Sequence, residues 1–149
     1  MKISILLPYK ENFSPIYAGA VSLFVKDTTN LSRYKEHITI YGNTKLKKIY
    51  KLNYKNIFLK KILVQSGSKV YVSQFLKYEK ENPSDIIEIH NRPNYFHLIN
   101  SSRKNQKLVL YFHNDPLTMT GSRSVADRKK LLENATKIIF NSHWSRKRF

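Results

Sequence analysis

Short apolar runs alternate with longer stretches whose apolar residues fall at helical spacing, and this alternation predicts the elements of the chain. Residues 2–7 are apolar and partly β-branched and are closed by Pro8, the pattern of a buried strand. Turn-favouring Asn12, Ser14 and Pro15 follow, so 9–15 reads as a loop. Residues 16–26 are apolar around Gly19 and turn polar at Asp27, which predicts a helix starting near Gly19. The alternating segment 36–41, stopped by Gly42 and Asn43, reads as a second strand, and 49–54 as a short third. Over 57–80, Leu59, Ile62, Leu63, Val70, Phe75 and Leu76 share one helical face, with Ser66-Gly67-Ser68 as the point where the helix divides. Residues 85–90 and 108–112 read as strands, 95–100 as a short helix between them, and 116–124 as a polar loop. Residues 125–136 read as a helix with Val125, Leu131, Leu132 and Ala135 inward. Residues 137–140 read as the last strand and 142–149 as the opening turns of one more helix, with no stop signal after it. Strands alternating with helices in this way predict an α/β fold with a mainly parallel sheet between helices.

Composition narrows what such a fold can do. The chain of 149 residues suits one domain, and 41% hydrophobic with 25% charged residues is ordinary for a globular one. With no cysteine, disulfides and thiolate metal sites are excluded, and a metal would rest on Asp, Glu or the five histidines, His37, His90, His97, His113 and His143. The apolar start is cut short by Pro8-Tyr9-Lys10-Glu11, too early for a secretory leader, and no run approaches the roughly 18 apolar residues of a membrane span. A cytoplasmic location follows as the expectation. The charge of +17, from 27 Lys and Arg against 10 Asp and Glu, points toward nucleic acid, anionic lipid or an anionic substrate. It also suits a plain composition bias, rich in Lys, Asn, Ile and Tyr, that scatters solvated lysines over the surface.

In parallel α/β sheets ligands bind beyond the C-terminal ends of the strands, so the residues just past each strand carry the candidate chemistry. These are Pro8-Tyr9-Lys10, Gly42-Asn43, His90-Asn91-Arg92, His113-Asn114-Asp115 and Asn141-Ser142-His143. Gly19 suits backbone approach to a phosphate at a helix N-terminus, or equally a loop glycine. The three-glycine dinucleotide fingerprint and the P-loop lysine motif are both absent. His113 reads either as a catalytic or orienting imidazole or as a side chain bonded to nearby backbone, and His90 reads either as a second polar group in the same crevice or as strand-end packing. The two histidines lack a third ligand at diagnostic spacing, so no metal is expected. Arg92 offers a fork of donors to phosphate or carboxylate, or is a surface arginine. Arg123, Arg128, Lys129 and Lys130 form a basic cluster that suits anionic lipid or phosphate, or a solvated helix face.

Several of these segments resemble the family-four glycosyltransferases. D-I-I-E-I-H-N at 85–91 is similar to the family's D-hydrophobic-hydrophobic-H-x-H strand, and K-L-V-L-Y-F-H-N-D at 107–115 to its next strand, ending in an aromatic-His pair. A-T-K-I-I-F-N-S-H-W-S-R-K-R-F at 135–149 resembles a later strand-helix segment, and M-K-I-S-I-L-L-P with Gly19 downstream resembles the opening strand and glycine-bearing loop. The resemblance covers nearly the whole chain, in order. It implies a Rossmann-like three-layer sandwich, with 1–149 as the acceptor-binding half of a GT-B enzyme. A donor-binding domain would be a separate, missing part, and the half alone would be inactive. Such enzymes are typically retaining hexosyltransferases that use a nucleotide-sugar without a metal, and a cell-envelope polysaccharide is the expected setting.

By the same resemblance His113 lies beside the sugar's anomeric carbon and Gly19 near the donor diphosphate, while His90, Asn91, Arg92, Asn114 and Asp115 line the acceptor side. Two departures stand out. Ala18-Gly19 supplies one glycine where many members have two, and Thr136-Lys137 stands where the family often has Asp. The implied partners are the donor domain, a sugar or lipid-linked acceptor and an anionic membrane surface, with an incidental homodimer through the uncovered face. The alternatives are a basic nucleic-acid-binding module, for which no helix-turn-helix, zinc or RNA-sheet signature is present, and a stand-alone small-ligand domain.

Overall fold

A computed structural model describes residues 1–59 and 66–149. The strands are β1 (Ile3–Leu6), β2 (Ile38–Gly42), β3 (Tyr54–Asn56), β4 (Ile86–His90), β5 (Lys107–Phe112) and β6 (Lys137–Phe140). All pair in parallel in the order β3-β2-β1-β4-β5-β6. The helices among the described residues are α1 (Ala20–Leu31), α2 (Gly67–Glu81), α3 (Pro93–Asn100), α4 (Val125–Asn134) and α5 (His143–Arg148). The fold is a Rossmann-like three-layer α/β sandwich, as the alternation of periods predicts. None of these helices is long and apolar enough to cross a membrane.

Side-chain alternation along each strand divides the core into two halves. Ile5 of β1 and Leu7 just after it join Ile38, Ile40, Phe13 and the α1 residues Val21 and Val25 on one face. Leu6, Ile87, Ile89, Leu108, Leu110 and Phe112 point to the other, where Tyr71, Val72 and Phe75 of α2, Phe96 and Ile99 of α3 and Leu131 of α4 cover them. The central strands β1, β4 and β5 carry the runs of apolar residues that burial on both faces requires.

The polar anchors sit at the two ends of the sheet. At the N-terminal end, the buried Glu79 carboxylate accepts hydrogen bonds from Ser4 Oγ at 2.5 Å, Ser84 Oγ at 2.7 Å and the Ser84 backbone N–H at 3.1 Å. These bonds tie the last turn of α2 to β1 and to the approach to β4. At the C-terminal end, Tyr71 Oη donates to the Leu7 carbonyl at 3.0 Å, and the Tyr9 backbone N–H donates to Tyr95 Oη at 3.2 Å. Burial pushes the Tyr71 phenol well above its ordinary value, so it stays a neutral donor.

Several expectations change in detail. The strand expected from residue 36 starts at Ile38, because Lys35–His37 form a 3-10 turn first. The strand expected over 49–54 is only Tyr54–Asn56; Ile49, Tyr50 and Leu52 instead pack against the Phe13 side of the core, the Tyr50 ring edge-on to Phe13. The helix expected over 57–80 begins at Gly67, with Ser66 as its N-cap accepting from the Lys69 N–H. Residues 57–59 lie outside it, Ile57 being buried in the core, while Ile62 and Leu63 of the expected face lie outside the described residues. Helix α1 starts after residues 16–19, which form the loop, and runs on to Leu31. In α4 only Leu131 is buried; Val125 and Leu132 are 74% and 64% exposed. A short helix lying over a sheet edge needs one inward row, and Leu131 supplies it.

Candidate functional site

The strand order reverses at β1. From there the chain winds outward through β2 and β3, then returns and winds the other way through β4, β5 and β6. The segments leaving β1 and β4 therefore diverge, α1 to one face and α3 to the other, and open a crevice between them. Parallel α/β sheets bind ligands at such a place. The seven residues that the resemblance singles out lie on segments bordering this C-terminal edge, but they fall into separate groups.

The first group is a row of rings on the α1 face. His90 ends β4 and His113 follows β5. His90 Nδ1 lies 2.9 Å from His113 Nε2, and His90 Nε2 lies 2.6 Å from Glu88 Oε1. Tyr111 stacks on His90 at 4.7 Å and 5°, and Phe24 of α1 meets His113 edge-on at 5.0 Å. His90 is fully buried, and Glu88 is 21% exposed. Burial, and then the neighbouring His90, lower His113 from its ordinary 6.5 to about 4, so His113 is neutral near pH 7. Burial first, and then the charge of Glu88, raise the Tyr111 phenol above its ordinary value. Glu88 is absent from the sequence-derived candidates. The signal for it was present: period-two alternation puts residues 88 and 90 on one face of a strand.

The second group lines a cleft of about 360 Å³ between the start of α3 and the loop after β5. Asn91, Arg92 and Asn114 lie in its wall with Ser68, Asn94 and Thr120. Asn91 has a left-handed backbone with φ 56°, which Asn tolerates better than most residues. That turn brings its Oδ1 to accept from the His113 backbone N–H at 3.3 Å, so Asn91 joins the cleft to the imidazole row. The Arg92 guanidinium donates to the Asn91 carbonyl at 2.8 Å, and Asn114 is exposed. A larger cleft of about 520 Å³ runs from Lys2 to Tyr54 beside the first two strands, and one of about 630 Å³ lies around Met1, Pro83 and Lys107. Both draw most of their walls from the N-terminal side of the sheet, whereas the smaller cleft lies at the C-terminal edge and shares Asn91 with the imidazole row, so we place the site there.

The remaining two candidates stand apart. Gly19 is the N-cap of α1 and carries no side-chain cap of its own. The carboxylate of Glu11 takes that place, accepting from the Ser22 N–H at 3.1 Å, and a Cβ on residue 19 would overlap it. An anion thus already sits at the positive end of α1. Asp115 faces away from the cleft and binds Arg148 of α5 through both carboxylate oxygens, the shortest contact being 2.9 Å. The Arg148 guanidinium holds the Asp115 carboxyl below its ordinary value. Its role in the structure is to anchor α5.

Two imidazoles and a carboxylate in line can fix a tautomer and move a proton; the adjoining cleft offers amides and a guanidinium to hydroxyl or anionic groups. Among the described residues no cluster of three His, Asp or Glu side chains has the geometry to hold a metal ion. In comparison with known proteins, the chain matches no protein-family model and no curated sequence.

Proposed function

We propose that this chain is the acceptor-side domain of a retaining, GT-B-type glycosyltransferase, which takes a sugar from a nucleotide-sugar without a metal cofactor and acts together with a separate donor-binding domain. One observation carries the reading: the imidazole pair and the polar cleft share Asn91 at the edge where the strand order reverses. In this reading Asn91, Arg92 and Asn114 bind acceptor hydroxyls, and His113 stands where the sugar is transferred. The N-terminus of α1 at Gly19 receives the donor diphosphate, which displaces the Glu11 carboxylate. Fixed backbone N–H groups and neutral imidazole nitrogens would meet charge as it develops, without having to reorganise.

Titrating the isotope-labelled chain with a nucleoside diphosphate and, separately, with an oligosaccharide tests this. The diphosphate is expected to shift the amide resonances of Gly19 and Ser22, and the saccharide those of Asn91, Arg92 and Asn114. Glu11→Ala should tighten diphosphate binding by removing the resident anion. Saturable binding of single-stranded nucleic acid, with neither of these responses, would replace the transferase reading by the nucleic-acid-binding one. A different small ligand in the cleft would leave a binding domain without transfer.

A further inference from the structure

We infer that Glu88 and His90 form a two-residue relay that holds neutral His113 with its proton on Nε2, so that Nδ1 is left as an acceptor for a substrate hydroxyl. Glu88 fixes the first proton. A carboxylate has only acceptors, so the 2.6 Å contact requires a proton on His90 Nε2, and in the one-proton form of the ring that is its only ring proton. His90 Nδ1 is then a lone pair. The 2.9 Å contact from it to His113 Nε2 requires a proton there, because two lone pairs would repel. Each neutral imidazole carries one ring proton, so His113 Nδ1 has none. Among the described residues Nδ1 has no protein hydrogen-bond partner, and it is not one of the buried polar atoms left unpaired. With His113 half-buried, Nδ1 is unpaired among the described residues, on the imidazole that the transferase reading places at the sugar.

The same chain of contacts has a defined response to one added proton. The proton binds His113 Nδ1; the Nε2 proton crosses to His90 Nδ1; His90 becomes the cation, beside the Glu88 carboxylate. One proton is gained, and nothing is oxidised or reduced. A second proton would place two cations 2.9 Å apart. The titratable groups around the pair are Glu88 on β4 and Tyr111 on β5; α1 contributes the uncharged Phe24, and Asn141 after β6 donates to the His113 carbonyl at 2.8 Å. Glu88 and His90 are thus positioning residues, and His113 is the group that meets the ligand. This role of His113 rests on the transferase reading, whereas its tautomer does not.

Histidine ring-nitrogen NMR on the intact chain, recorded above pH 7, tests the inference without any variant. The expected spectrum has a protonated, pyrrole-type Nε2 and a pyridine-type Nδ1 in both His90 and His113. A protonated Nδ1 on His113 under those conditions overturns the relay. Glu88→Gln retains the size and a hydrogen-bonding group but removes the charge. Without a carboxylate to fix the His90 Nε2 proton, the variant should show mixed ring-nitrogen tautomers for His90 and His113; an unchanged pair of pyrrole-type Nε2 signals would overturn the role of Glu88. Saccharide binding should be lost in His113→Gln and weakened several-fold in Glu88→Gln. If the tautomers are as expected and no saccharide binds, the relay stands and the transferase reading fails.

Discussion

Single residues with more than one buried bond carry the sharpest consequences. Glu79 accepts three hydrogen bonds in a dry setting, so Glu79→Ala strands Ser4 Oγ and both polar groups of Ser84. A loss of about 3 kcal/mol in unfolding free energy is expected, measured as a fall in the urea midpoint with unchanged slope. His113 makes stability depend on pH. In the unfolded chain its imidazole protonates near 6.5, while in the fold it resists until about 4. Between those values the unfolded state binds more protons. The contribution of His113 is therefore complete above pH 6.5 and is lost as pH falls toward 4, an effect of about 1–2 kcal/mol after solvent screening. Denaturant unfolding at about pH 7 and about pH 5 should show the drop, and His113→Asn should flatten it.

At the scale of elements, helix ends follow local chemistry and helix faces follow the sheet. Ser66, Ser124 and Ser142 each cap the helix that follows, accepting from the backbone N–H three residues on, and Pro93 opens α3 with its ring at the first turn. Helix α1 contains an oddity on its inward face: the buried hydroxyls of Ser22 and Thr29 have no hydrogen-bond partner among the described residues. Ser22→Ala removes one unpaired group and adds helix propensity, so the variant should be more stable by about 1 kcal/mol, read as a higher melting temperature. A lower melting temperature would mean that the hydroxyl has a partner in solution. Helix α5 is held from both sides, by Arg148 on Asp115 and by the Phe149 ring against Phe112 and Phe140 at 5.5 and 5.3 Å. The ion pair is exposed on the Arg side and adds little; the aromatic cluster does more to seat the helix.

For the whole molecule the charge of +17 sets the strongest expectation. If it serves attraction to an anionic membrane, the chain should bind vesicles containing phosphatidylserine at low salt and be released as ionic strength passes about 0.15 M, where the Debye length is about 8 Å. Co-sedimentation with anionic and neutral vesicles across a salt series measures this. Absent or salt-insensitive binding would assign the lysines to composition bias.

The order of strands and helices is legible in the amino-acid sequence, because apolar period depends only on local geometry: residues 137–140 match β6 in full, and 108–112 miss β5 by one residue. The strand-end positions of His90 and His113 follow from the same pattern. Faces and partners are not local. Val125, Leu132 and Leu131 are equally apolar in the chain, yet only Leu131 meets the sheet. The contact of His90 with His113 joins residues 23 apart, and depends on β4 and β5 pairing with His90 beside Tyr111. Asp115 and Asn114 are neighbours in sequence, and the position of α5 turns one into an anchor while the other stays in the cleft. Element identity is thus written in the spacing of residues along the chain; the carboxylate-imidazole row exists only because parallel pairing brings two strand ends to the same edge.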